Sequence, residues 1–149
     1  QVAARTILAT EAGGDLYAGG RLAGAPWRVE VRDPRGGPAD ALAALDVGDR
    51  AFSTSGDSER AFEAGGRRYH HVLDPRTCRP TAGPRSVSVL AGSALEAEIL
   101  SKAVMVEGGA AGLALAAAAG AEALLVDAEG RVQATPALAA RLLPAGPPR

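Results

Sequence analysis

The first ninety residues alternate apolar and polar positions over short stretches, which is the period of β-strands. At 27–32, an aromatic residue and two valines alternate with charged residues, the pattern of a strand buried on one face. The stretches 43–47 and 51–54 are short and largely apolar with a turn between them, and 86–90 alternates again. The pattern therefore predicts strands at these four stretches.

Glycine pairs predict where other elements of this region begin and end. Residues 62–64 and 67–73 flank the glycine pair 65–66, which is typical of a hairpin. Residues 2–10 have the pattern of the end of a helix, which the glycine pair 13–14 would stop. We therefore expect a hairpin, and before the first strands the end of a helix.

After residue 90 the signals change to those of helices. Ser93 is followed three residues later by Glu96, the spacing of a capping box, which predicts a helix over 94–106. The glycine pair 108–109 ends this helix. A second, alanine-rich helix is predicted over 110–119.

A hairpin of 124–127 with 131–134 and a short helix after Pro136 complete the predicted elements. Strands come first and helices follow, without a regular strand–helix alternation. The predicted fold class is therefore α+β, with a mixed or antiparallel sheet and packed helices. We predict one domain over 1–143 and a disordered tail over 144–149.

Charge and composition exclude several classes of protein. The 149 residues include 16 basic and 17 acidic side chains, and this net charge of −1 argues against a polybasic nucleic-acid binder. Cys78 is the single cysteine, which excludes an internal disulfide framework and a cysteine-rich zinc site. No apolar run is long enough to span a membrane, and no signal peptide is visible. Because the chain starts at Gln1, we expect that it begins inside a longer gene product.

Lysine is almost absent from this sequence. Of the 16 basic residues 15 are arginine, and Lys102 is the single lysine. Lys102 follows Glu98 by four residues on the predicted helix, so the two side chains share a face. They form either a solvated ion pair that stabilises the helix by about 0.3 kcal/mol, or part of a site in which the lysine ammonium takes the place of a bound cation. Periodicity alone favours the ion pair.

The densest polar stretch, 67–80, contains both histidines. His70 and His71 would point to opposite faces of a strand, so no more than one can enter a given pocket. An imidazole at a strand end, with the Asp74 carboxylate in the next turn, suits a general base or a phosphate contact. The alternative is a surface histidine and an aspartate that only forms the turn, and residue types alone favour this alternative.

Two segments of small residues could line a phosphate site. Thr54, Ser55 and Gly56 follow a predicted buried strand, where backbone N–H groups often bind phosphate, but the residues after them suit a helix N-cap equally well. Gly14 and Asp15 would let the backbone approach a ligand closely, or would form a plain turn. None of these segments is specific alone.

Taken together and in this order, several segments resemble those of one family. The matching segments are 12–16, 46–51, 54–57, 69–77 and 93–97, together with the helix that begins at the last of them. The combination resembles the C-terminal half of the FAD:protein FMN transferases, the ApbE family. The resemblance covers about residues 2–132.

The resemblance implies the T-fold-like architecture of the ApbE C-terminal half. It implies a transferase that moves FMN from the substrate FAD to a threonine hydroxyl of a target flavoprotein, assisted by Mg²⁺ at the phosphates. It places Val72 in contact with FAD and makes His71 and Asp74 the catalytic positions, with the two small-residue segments binding the cofactor. The metal ligands of the family helix, an aspartate and a threonine four residues apart, correspond to Glu98 and Lys102.

The sequence departs from the family pattern at three positions. Glu98 is one methylene longer than aspartate, and Lys102 brings a positive charge in place of an oxygen ligand. We therefore expect weakened Mg²⁺ binding, with direct neutralisation of phosphate by Lys102 as the alternative. Cys78 stands where the family usually has glycine, which carries a steric cost if the position needs a positive φ.

The sequence also lacks the N-terminal half of the family, which supplies much of the FAD pocket and another metal ligand. We therefore expect an uncovered face that self-associates or pairs with a second chain. The alternatives to a transferase are a degenerate member that binds a nucleotide or partner without transferring FMN, and a purely structural module. The family works in bacteria, commonly outside the cytoplasmic membrane, and the lack of a visible export signal leaves a cytoplasmic location open.

Overall fold

A computed structural model describes residues 8–12, 15–21, 23–37, 40–57 and 61–145. The described strands are, in chain order, β1 (Leu8–Ala12), β2 (Asp15–Gly19), β3 (Trp27–Arg32), β4 (Ala41–Val47), β5 (Arg50–Gly56), β6 (Phe62–Ala64), β7 (Arg67–Tyr69), β8 (Leu73–Asp74), β9 (Arg79–Pro80), β10 (Ser86–Ala91), β11 (Glu122–Val126) and β12 (Val132–Ala134). The described helices are α1 (Ala94–Glu107), α2 (Gly109–Ala118) and α3 (Pro136–Ala139).

A six-stranded sheet forms the centre of the fold, in the order β1-β2-β5-β10-β11-β12. Every neighbouring pair in it is antiparallel. The pairs β3-β4, β6-β7 and β8-β9 form separate two-stranded sheets and are antiparallel too. The predicted α+β class is confirmed, with antiparallel pairing throughout the described strands.

Both faces of the sheet are covered, which explains why β10 and β11 are buried along their whole length. On one face, Val87 and Val89 of β10 pack with Leu100 and Val104 of α1. On the other face, Leu90 belongs to a core that includes residues of β3, β4 and α3. Because neighbouring residues of a strand point to opposite faces, β10 contributes to both cores.

Helix α1 begins where the sequence predicts and ends one residue later. The Ser93 hydroxyl accepts the backbone N–H of Glu96 at 3.2 Å, so the predicted N-cap is confirmed. Gly108 ends the helix with φ of 65° and donates its N–H to the Val104 carbonyl. The buried residues of α1 recur at intervals of three and four, so the helix presents one face to the sheet. None of the described helices is both long and apolar enough to cross a membrane.

Residues 8–10 form part of a strand, so the predicted helix end over 2–10 is wrong in its described part. Strand β1 pairs with β2, with Thr10 opposite Tyr17. Backbone bonding to a neighbouring strand overrides the weak helix preference of a short stretch. The rest of that prediction, including the glycine pair 13–14, lies outside the described residues.

Two strand boundaries differ from the prediction. Strand β5 continues to Gly56, so residues 54–56 lie in the sheet, paired with β10, rather than in a loop after the strand. Strand β7 ends at Tyr69 instead of residue 73, because Leu73 pairs with Pro80 in the separate β8-β9 hairpin.

The remaining predicted strands and helices are confirmed to within two residues at their boundaries. The division into a domain over 1–143 and a tail over 144–149 stays a prediction. Residues 146–149 lie outside the described part of the chain.

Cys78 occupies the turn between β8 and β9 with φ of 54°, so the condition for the predicted steric cost is met. We expect Cys78→Gly to raise the free energy of unfolding by about 0.5–1 kcal/mol, because relief of the left-handed strain exceeds the added entropy of glycine in the unfolded chain. Urea denaturation measures the change. Cys78→Ala retains the β-carbon and should leave stability nearly unchanged, and equal stabilisation by both variants would refute the argument from φ.

Glu122 ties the segment after α3 to the sheet. Its carboxylate, with a side chain only 12% exposed, accepts bonds from Arg50 of β5 and, at 2.9 Å, from Arg141. Arg50 also donates to the Leu90 carbonyl at 3.1 Å, and Arg141 donates to the Asp46 carbonyl at 2.9 Å. One carboxylate therefore fixes two guanidinium groups that each hold a further strand.

We expect Glu122→Gln to lower the free energy of unfolding by roughly 2–3 kcal/mol, because two partly buried guanidinium groups lose their anionic partner. Denaturant unfolding at neutral pH measures the loss. The matched control is Glu129→Gln, at a turn carboxylate whose side chain is 65% exposed. A loss no larger than in this control would show that the Glu122 network adds no stability.

Candidate functional site

Serine hydroxyls lie at the centre of the contact between α1 and β5. The hydroxyl of Ser101 on α1 lies 2.7 Å from that of Ser55 and 3.4 Å from that of Ser53, both on β5. Ser101 also donates to the Glu98 carbonyl at 3.0 Å. Ser53, Ser55 and Ser101, here called the serine cluster, are buried. Their hydroxyls therefore satisfy one another and fix the position of α1 on the strand.

The Glu98 carboxylate lies beside the serine cluster with both of its oxygens engaged. Oε2 accepts the Ser53 hydroxyl at 3.1 Å, and Oε1 accepts the Lys102 ammonium. Asp15 lies opposite Ser53 across β2 and β5, on the strand next to the one that meets Glu98. The Lys102 bond is the main cause that lowers the pKa of Glu98, partial burial opposes it, and Ser53 and Asp15 lower the pKa further.

The Glu98–Lys102 ion pair therefore exists on one face of α1, as the spacing predicts. The Lys102 side chain of this pair lines a cavity of about 380 Å³, the Lys102 cavity. His71 and Val72, from the segment before β8, line the same cavity. Val72 is buried in the core, whereas the Lys102 side chain is 44% exposed. The carboxylate of the pair thus bonds to the sheet, and the Lys102 side chain lines the cavity.

The two adjacent histidines line different cavities. His71 lines the Lys102 cavity, whereas His70 lines a cavity of about 660 Å³ together with Arg79 and Arg85. His70 is buried, and its Nε2 lies 3.0 Å from the Thr81 carbonyl oxygen, which makes Nε2 the donor. The prediction that the two rings separate is confirmed, although both follow β7 and neither lies in a strand.

Asp74 forms the turn after these histidines. Its Oδ1 accepts the backbone N–H of Arg76 at 2.9 Å and the guanidinium Nε at 3.0 Å, and its carbonyl accepts the N–H of Cys78 at 2.8 Å. The side-chain bond from Arg76 is the main cause that lowers the pKa of Asp74. These contacts favour the turn-forming alternative for Asp74, and its catalytic role stays a prediction.

The predicted cofactor-binding residues fall into different places. Ser55 belongs to the serine cluster and Asp15 adjoins Glu98, whereas the Thr54 hydroxyl lies 2.9 Å from that of Ser88 on β10. Gly56 ends β5 beside them, and Gly14 lies outside the described residues. The structure thus brings Ser55 to Ser101 on α1, one residue before Lys102, while the Thr54 hydroxyl bonds to another strand. Their binding of a cofactor stays a prediction.

Comparison with known proteins identifies the family of this chain. The family model described as "ApbE family" matches residues 6–125, most of the chain. The chain belongs to the ApbE family.

Two curated bacterial relatives show how similar the chain is to other ApbE proteins. It is 39% identical over 132 residues to the FAD:protein FMN transferase of Rhodobacter capsulatus, covering 88% of this chain and 25% of that protein. It is 37% identical over 110 residues to the FAD:protein FMN transferase of Vibrio cholerae, covering 72% of this chain and 33% of that protein. The chain therefore spans a quarter to a third of these relatives.

Solved structures agree with the fold. The crystal structure of the ApbE protein from Thermotoga maritima matches with a TM-score of 0.81 and 36% identity, over 88% of this chain and 43% of that one. The flavinyl transferase ApbE of Pseudomonas stutzeri, in its apo form, matches with a TM-score of 0.72 and 38% identity, over 92% of this chain and 43% of that one. The chain corresponds to the C-terminal half of the ApbE fold.

The residues at the family metal positions do not fit Mg²⁺ in this chain. Magnesium requires oxygen ligands in octahedral geometry, and a protonated lysine offers none. The one carboxylate of the pair already has both oxygens engaged, by Ser53 and Lys102. Within the ranges that the structure describes, no group of three or more His, Cys, Asp or Glu side chains could hold a metal ion.

Ser53 and Ser101 are site residues that the sequence analysis missed. Ser101 lies three residues after Glu98 and one before Lys102, so its helical spacing was a usable signal. Ser53 alternates with Ser55 on β5, but only the packing of α1 shows that this face meets a carboxylate. A buried serine next to an acidic helix residue cannot be distinguished from an ordinary strand serine by sequence alone.

The lowered pKa of Glu98 makes its contribution to stability depend on pH. A carboxylate whose pKa is lower in the folded state stabilises the protein above its unfolded pKa, and this stability is lost as the pH falls. We expect the stability lost on acidification through about pH 4.5 to be smaller in Glu98→Gln than in the parent chain. Urea midpoints between pH 6 and pH 3.5 measure the difference.

Lys102→Met should reduce the same acid sensitivity, because it removes the main cause of the lowered pKa of Glu98. Glu96→Gln, which replaces an exposed carboxylate in the first turn of the same helix, is the matched control and should keep the parent behaviour. Identical acid sensitivity in Glu98→Gln and the parent would contradict the assignment.

Proposed function

We propose that this chain is part of an FAD:protein FMN transferase that moves FMN from FAD to a threonine hydroxyl of a target flavoprotein. Membership of the ApbE family and the names of the curated relatives support this proposal. The observation that carries it is the shared position of His71 and Lys102 on the wall of one cavity, next to Val72. An imidazole and an ammonium suit the phosphates of a flavin nucleotide, and an apolar wall suits its ring system.

The proposed reaction is an in-line displacement at phosphorus. The threonine oxygen forms a bond to the phosphorus on the FMN side of FAD, the bond from that phosphorus to the bridging oxygen breaks, and AMP leaves. The hydroxyl proton passes to a base, and FMN remains attached through a phosphodiester. In such transfers positioning and charge neutralisation provide most of the catalysis.

Each residue of the cavity has a role that fits its contacts. His71 is the proposed general base, because it is a titratable group at the cavity wall. Lys102 is the proposed neutraliser of phosphate charge. Val72 supplies an apolar wall to the flavin nucleotide. Asp74 acts as a positioning residue, since its bonds to Arg76 hold the turn that follows His71.

A second part of the site must cover the exposed face of α1. Leu95 and Ile99 lie four residues apart on α1 and are 70% and 57% exposed. The chain covers only 43% of the solved ApbE chains. We propose that the remaining half of the ApbE fold, supplied by a second chain or by the same gene product, packs on this face. From the resemblance we further propose that the assembled enzyme acts outside the cytoplasmic membrane.

The test incubates the chain with FAD and a target flavoprotein, alone and with the N-terminal half of a longer ApbE protein. We expect covalent FMN on the target, read as a mass increase, and a rate lower by about 10²–10³-fold in His71→Ala, because the base is lost. Initial rates by mass spectrometry measure the effect.

His70→Ala is the neighbouring control, because His70 lines the other cavity. Compared at equal concentration of folded protein, it should retain most of the activity. If FAD binds but no FMN reaches the target under either condition, the chain is instead the degenerate, binding-only member. Equal rates in His71→Ala and the parent would contradict the role of His71 as base.

A further inference from the structure

The ammonium of Lys102 is a cation that the fold places and orients without a metal. Its carboxylate partner, Glu98, also accepts the buried Ser53 hydroxyl of β5 at 3.1 Å. This bond fixes Glu98 against the sheet. Glu98 therefore holds Lys102, whose side chain is 44% exposed and lines the Lys102 cavity.

This arrangement leaves the ammonium able to bind an anion. An ammonium has three N–H donors, and Oε1 of Glu98 accepts one of them. The other two can donate to phosphate oxygens in charge-assisted hydrogen bonds. His71 lines the same cavity, so a diphosphate there would meet a second nitrogen-containing side chain. The Glu107 carboxylate also lines the cavity, and it accepts the Arg76 guanidinium at 3.2 Å.

We infer that the Lys102 cavity binds the diphosphate of a flavin nucleotide without a divalent cation, because Lys102 supplies the positive charge itself. The inference rests on the proposed function, since that function names FAD as the ligand. It differs from the metal-assisted site implied by the family resemblance. A Mg²⁺ ion ligated by Glu98 would have to displace Lys102, and its charge would repel the displaced ammonium.

Lys102 also offers a direct readout, because it is the single lysine of the sequence. A chain prepared with ¹³C-labelled lysine gives one side-chain Cε resonance, which reports on the ammonium alone. The probes are inorganic pyrophosphate and FAD, each titrated in the presence of EDTA and then of Mg²⁺. Binding of FAD is measured in parallel by the change in flavin fluorescence.

We expect both probes to shift the Lys102 resonance in EDTA, and the FAD affinity to change less than about twofold when Mg²⁺ replaces EDTA. Lys102→Thr should weaken FAD binding in EDTA by about tenfold or more, because a charge-assisted bond to phosphate is lost. Lys102→Arg retains a cation and should bind FAD in EDTA better than Lys102→Thr. Arg131→Gln, which removes an exposed cation from the β11-β12 turn, should bind like the parent.

The possible outcomes separate this inference from the proposed function. If the parent chain binds FAD only with Mg²⁺, or if FAD binds in EDTA without shifting the Lys102 resonance, the inference is wrong and the proposed function stands. If Lys102→Thr binds FAD in EDTA as tightly as the parent, the inference is also wrong. If FAD binds under neither condition, with or without the N-terminal half, both are overturned.

Discussion

The contact between α1 and β5 determines the geometry of everything else at the site. It is built from hydroxyl groups as well as apolar side chains, and the bond between Ser55 and Ser101 sets the position of the helix along the strand. Buried hydroxyls must find partners, so this contact tolerates fewer alternative positions than a purely apolar one. The position of Glu98 against the sheet follows from it, because Ser53 reaches the carboxylate only in this register.

The Glu98–Lys102 pair has a direction because its two ends lie in different surroundings. The carboxylate accepts the Ser53 hydroxyl of the sheet, whereas the Lys102 side chain lines a cavity. An i,i+4 pair on a fully solvated helix face would be a minor and mobile contact. Here the buried Ser53 hydroxyl holds the carboxylate of the pair, so the ammonium of Lys102 becomes a fixed positive charge. This fixed charge distinguishes the site from one that depends on a bound metal cation.

The segment between β7 and β10 carries the two histidines, Asp74 and Arg76. It leaves the β6-β7 hairpin after Tyr69, and His70 then lines the larger cavity while His71 lines the Lys102 cavity. In the tight β8-β9 hairpin that follows, the Asp74 carboxylate accepts a hydrogen bond from the Arg76 guanidinium. Its turn places Cys78 in a left-handed conformation, which indicates that the shape of the turn is imposed by the hairpin rather than by the preference of that residue.

Sequence by itself determined the α+β class, most strand positions, the cap of α1, the family, and the shared helix face of Glu98 and Lys102. Those features depend on local periodicity, on capping residues and on the order of motifs, all of which involve residues close together in the sequence or their order along it. Only the tertiary structure decided that residues 8–10 form an edge strand, that Ser53 and Ser101 join the site, and that His71 rather than His70 lines the Lys102 cavity. These depend on which strands pair and on which helix covers them, and the physical reason is that contacts between distant residues leave no local pattern.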